Sequence, residues 1–124
     1  MTQDVQNKLE TAQLRERLVE AAEKVAADLV EKSETPKPLP EKTQMSRLLS
    51  VARSAFCGAE IRNYLRYQAA RKVWPKVQTD TLIDRLETIM ADAQLKDREQ
   101  VRAWELFSGY LTRAYVYELA RRGQ

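Results

Sequence analysis

Runs of helical periodicity alternate along this chain with short polar breaks. Over residues 5–32, Leu14, Leu18, Ala22, Val25 and Leu29 recur at three- and four-residue spacing. That spacing draws one apolar stripe, because a helix returns to the same face about every 3.6 residues. Glu16, Glu20, Glu23 and Lys24 fall on the other faces. The stretch "SETPKPLPE" then places three prolines within five residues. Proline lacks an amide donor and restrains the residue before it, so a linker is predicted over 33–41.

Four more stripes follow. Thr43 can cap a second helix over 44–57, with Met45, Leu48, Leu49, Ala52, Ala55 and Phe56 inward. Gly58 is expected to break it. A third helix is predicted over 59–73, ending before Pro75, on Ile61, Tyr64, Leu65, Ala69 and Val73. Asp80 or Thr79 is expected to open a fourth over 80–92, on Leu82, Ile83, Leu86, Ile89 and Met90. Asp97 can cap a fifth over 98–122, where Val101, Trp104, Phe107, Leu111, Ala114 and Tyr115 make a wide apolar face and Gly123 suits the end. No run reads as a strand. The expected fold is all-α, a small bundle of about five helices, with a long N-terminal helix followed by a compact four-helix part. Residues 1–124 read as a single all-α domain: a helix over 1–32, the proline-rich linker 33–41 and a helical core over 42–124. The first helix, set apart by the linker, is free to pack loosely or to reach toward a neighbour.

Composition narrows the function classes. The 124 residues suffice for one domain, and only 3 glycines and 4 prolines interrupt helix. No apolar stretch approaches the roughly 18 residues of a membrane span, and the polar start "MTQDVQNKLE" is unlike a signal peptide. A cytoplasmic protein with no membrane partner is expected. Cys57 is the one cysteine and there is no histidine, so Cys–His pairs and histidine metal sites are excluded. Cys57 lies among Phe56, Gly58 and Ala59 and reads as a small buried hydrophobe. The carboxylates Asp80, Asp84 and Glu87 sit at the expected start of the fourth helix, where the macrodipole accounts for them without catalysis. No glycine-rich phosphate loop and no metal-ligand cluster occurs, so neither an enzyme nor a cofactor is expected.

Charge changes the picture most. Net charge is only +3, yet residues 42–76 carry eight basic side chains against one acidic, Glu60. On the third helix Arg62 and Arg66 stand four apart, where like charges destabilise a helix by a few tenths of a kcal/mol. Guanidinium matches phosphate oxygens in a bidentate way, while Asn63 and Tyr67 add a hydrogen-bonding group and a stacking ring. Arg47 and Arg53 on the preceding helix, with Arg71, Lys72 and Lys76 beyond, extend the strip. This is the footprint of a polyanion, and the candidate nucleic-acid-binding residues are Arg47, Arg53, Arg62, Arg66, Arg71, Lys72 and Lys76. The competing readings are a solvated face and pairing with the acidic first helix. Arginines spread along the element suit backbone tracking more than base reading, although the Gly58 turn between two short helices leaves a helix-turn-helix DNA-binding regulator open. A structural adaptor meeting an acidic partner protein is a third reading. Tyr110 and Tyr117 lie off the main stripe and suit a subunit interface.

The segments "EKTQMSRLLSVARSAF", "IRNYLRYQAARK" and "WELFSGYLTRAYVYELARR", in this order after a proline-bounded entry, resemble the small subunit of type III CRISPR interference complexes, the Csm type in particular. The resemblance covers roughly residues 40–122. Thr43, Gln44 and Met45 match the family's start of its second helix, whereas an arginine common there is Ser46 here, with Arg47 one position later. The resemblance implies a non-catalytic all-α protein present in several copies. Its implied partners are neighbouring copies of itself, larger repeat subunits, and the guide RNA and target RNA whose backbone it contacts through basic side chains.

Overall fold

The computed structural model describes residues 8–123. Five helices follow one another among them: α1 (Ala12–Glu31), α2 (Lys42–Ser54), α3 (Gly58–Ala70), α4 (Lys76–Asp92) and α5 (Asp97–Arg122). The fold is all-α, as the periodicity predicts. The inward stripes agree almost residue for residue: Leu14, Leu18, Ala22, Val25 and Leu29 on α1, Ile61, Leu65 and Ala69 on α3, and Leu82, Ile83, Leu86, Ile89 and Met90 on α4 are all buried. No helix among the described residues is long and apolar enough to cross a membrane.

α5 organises the rest. It touches all four other helices, most extensively α1 and α2. Trp104, Phe107 and Leu111 are fully enclosed along it, and the Trp104 and Phe107 rings meet edge to face at 6.0 Å. Small residues set the spacing: Ala22 and Ala26 of α1, Ala52 of α2 and Ala103 of α5 are each 0 % exposed, which lets the helices approach closely. α1 is therefore not loosely held. Its stripe lies against α5 and α4 within the same apolar cluster as the rest of the core.

Several helix ends differ from the pattern, each for a local reason. Residues 5–7 of the expected first helix lie outside the described residues, and the helix that follows begins at Ala12, where the Thr11 hydroxyl accepts from Leu14 N at 3.3 Å. α2 starts at Lys42 behind an extended Glu41, so Thr43 sits inside the first turn and caps nothing. It ends at Ser54, which leaves Ala55 half-buried and turns Phe56 outward, 85 % exposed. Gly58 does not break that helix but opens α3. It serves a close approach: a Cβ there would lie 2.9 Å from Gln100 Oε1 and 3.5 Å from Trp104 Nε1. α4 begins at Lys76, directly after Pro75, so neither Asp80 nor Thr79 caps it and Thr79 is buried just past the first turn. The early carboxylates thus lose their macrodipole explanation, since no acid occupies the first turn. In α5, Asp97 is the first helical residue. Lys96 holds the cap position, and its N–H donates to Glu99 Oε1 at 2.8 Å.

The proline linker is pinned rather than loose. Pro38 and Pro40 are buried, and the Tyr115 hydroxyl donates to the Pro40 carbonyl at 2.7 Å. That bond ties the linker to α5 from within the core. Burial pushes the Tyr115 phenol up to about 12, with the Arg122 charge opposing the rise. Tyr115→Phe should therefore destabilise the protein by about 1–2 kcal/mol in urea unfolding, because the buried carbonyl loses its donor. The raised folded pKa favours the protonated phenol. Its stabilising share is complete below the ordinary tyrosine pKa and is lost as pH rises from about 10 to about 12. Stability measured across that window should fall more steeply in the wild type than in Tyr115→Phe.

Candidate nucleic-acid interface

The cationic block 42–76 comprises α2, α3, the turn after α3 and the first residue of α4. Helical geometry divides its arginines. Arg62 and Arg71 are nine positions apart, about 2.5 turns, so they lie on opposite sides of α3. Arg62 faces α4, where its Nη1 donates to Glu87 Oε2 at 2.8 Å with both side chains about half-exposed. Lys76 is paired within its own helix, 2.8 Å from Asp80. These two candidate residues have carboxylate partners inside the protein. Arg47, Arg53, Arg66 and Lys72 are exposed and make no ion pair among the described residues. Glu16, Glu20 and Glu23 of α1 are exposed, and no cation of the block pairs with them. The acidic helix therefore does not neutralise the basic strip.

The outward row of α3 is Asn63, Tyr67 and Arg71, one turn apart each, with Arg66 beside Tyr67. Tyr67 is 59 % exposed, and the Arg71 guanidinium lies 5.4 Å from its ring centroid. The charge of Arg47, on α2, acts on Tyr64 of α3. Burial pushes the Tyr64 phenol up, and the positive charge of Arg47 draws it part of the way back. The start of α3 has the opposite sign. Glu60 accepts from Phe56 N at 3.1 Å, and the half-buried Cys57 thiol lies 3.9 Å from the same oxygen, so Cys57 is not the enclosed hydrophobe its neighbours suggest.

The end of α3 is built around Lys72, which is left-handed with φ 65°. Val73 N donates to Gln68 O and Lys72 N to Ala69 O, each at 3.0 Å, closing the helix in a Schellman turn. Trp74, fully buried, plugs the turn into the core. α4 ends in the same way at Gln94, φ 55°, with Leu95 N on Met90 O and Gln94 N on Ala91 O. Glycine is the usual occupant of such a position, and a side chain there strains the backbone. The sequence pattern misses both turns because neither carries glycine.

Among the described residues no three His, Cys, Asp or Glu side chains gather into a metal-ligand cluster. Comparison with protein-family models, with curated proteins and with solved structures finds no match for this chain.

Lys72→Gly and Gln94→Gly should each raise stability by about 0.5–1 kcal/mol in urea unfolding, as relief of the left-handed strain outweighs the added freedom of the unfolded chain. A loss of stability at either position would contradict the turn geometry.

Proposed function

We propose that this protein is a non-catalytic, cytoplasmic nucleic-acid-binding subunit, the small subunit of a type III CRISPR effector complex, in which several copies line the guide–target RNA groove. The observation that carries this reading is the set Arg47, Arg53, Arg66 and Lys72: exposed cations without an ion-pair partner among the described residues, drawn from one block of the chain. Free cations on a rigid helical pair suit phosphate contacts, which position a partner without reading its sequence. One copy offers few such contacts and binds weakly, and several copies along one strand multiply them. The CRISPR assignment itself rests on the resemblance of residues 40–122. A DNA-reading helix-turn-helix is less well supported, because Glu60 places a carboxylate at the start of α3, where a recognition helix meets base edges.

Co-purification tests the assembly: the chain expressed with a type III effector set should recover guide RNA and the larger repeat subunits. Recovery of neither would remove the CRISPR reading. Salt titration tests the phosphate contacts. Arg66→Ala combined with Lys72→Gly should weaken RNA binding equally for any sequence. The log–log salt slope should flatten by about 0.7–0.9 for each phosphate the variant no longer neutralises. An unchanged slope would count against those contacts. Glu87→Gln frees Arg62 and should steepen the slope by a similar amount.

A further inference from the structure

We infer that Tyr67 and Arg71 form a platform on which an unpaired nucleobase stacks, so that an unpaired base adds to the affinity that phosphate contacts give paired and unpaired strands alike. The inference rests on the nucleic-acid reading above and goes beyond phosphate contact. Tyr67 keeps 59 % of its surface in solvent, and the Arg71 guanidinium holds 5.4 Å from its ring centroid. A similar pair elsewhere shows what is unusual. Arg113 lies 5.5 Å from the Tyr110 ring, but Tyr110 is packed against the core. Tyr67 is not among the residues packed against the core, and more than half of its surface is open to solvent.

The platform is also held in place. Arg71 N donates to Tyr67 O at 3.1 Å, and the left-handed Lys72 with the buried Trp74 fixes the helix end beyond it. The guanidinium therefore belongs to a locked turn and not to a frayed terminus. Its surroundings suit a nucleotide. No acidic residue lies within four positions of Tyr67, Arg66 is adjacent and exposed, and Asn63 presents a carboxamide one turn away. A base stacked on the ring would have cations at hand for its phosphate and a hydrogen-bonding group for its edge. Bases inside a duplex are already covered on both faces by their neighbours, so only an unpaired base gains from the platform. Every base has a π-face, so the gain depends on a base being unpaired and not on its sequence.

The test uses the full chain at low salt and two probes: an RNA strand and a strand of equal length with tetrahydrofuran abasic residues. The expected result is binding of the base-bearing strand at least about fivefold tighter than the abasic strand, the lower end of one aromatic–base stack. Tyr67→Leu should abolish that difference, while Tyr67→Phe, Tyr67→Trp and the exposed-ring control Tyr117→Leu should keep it. Circular dichroism confirms that each variant is folded. Equal affinity of the wild type for base-bearing and abasic strands would overturn the platform and leave the phosphate reading intact. An equal loss on both strands in Tyr67→Leu would overturn it as well. Binding of neither probe would overturn both readings.

Discussion

Burial of α5 among four partners is the constraint on which the rest of the structure depends. A helix that meets neighbours on most of its circumference cannot keep one apolar stripe and one polar face. α5 meets that demand with Val101, Trp104, Phe107, Leu111 and Tyr115 buried and Leu106, Tyr110 and Ala114 half-buried around them. Truncating a large side chain at its centre would cost about 3–5 kcal/mol, a sizeable share of the stability of a small domain. The other helices are arranged to cover it. Alanines on α1 and α2 bring their backbones close, and Gly58 does the same at the start of α3. The linker is held by the Tyr115 hydroxyl, so even the proline segment takes its place from α5.

That arrangement decides where the charge goes. Because α2 and α3 give their apolar sides to the core, their cations are left on the outside. The packing of α3 beside α4 then sorts them: Arg62, on the α4 side, is taken up by Glu87, while Arg66 and Arg71 pair with no carboxylate among the described residues. An exposed pair of this kind is worth at most about 1 kcal/mol, so Arg62 is held yet stays within reach of a ligand. The locked turn at Lys72 matters for the same surface. It fixes the direction of the last cations of α3 at the expense of backbone strain, and strain of this kind gathers at functional sites. A rigid display of cations would lower the ordering cost of meeting a phosphate backbone, which is the physical link between the fold and the proposed role.

The sequence by itself determined the all-α class, the five helices and nearly all inward positions, because a buried face repeats with the helical period and nothing distant is needed to see it. It also determined that residues 42–76 carry the cationic excess. Helix ends were less legible. The first turn of α4, Lys76–Gln78, carries no buried side chain, and the turns at Lys72 and Gln94 lack glycine, so neither period nor composition marked them. Phe56 continued an apolar stripe on paper and points into solvent because α2 stops at Ser54. Trp74 lay outside every stripe and is fully buried. Only the tertiary structure decided that α1 packs against α5 and α4, that Tyr115 reaches Pro40, and that Glu87 claims Arg62. Those partners stand 75 and 25 positions apart in the chain. Local periodicity reports which face of a helix is buried, but not which distant segment buries it, and pairing between distant side chains exists only once the helices are packed.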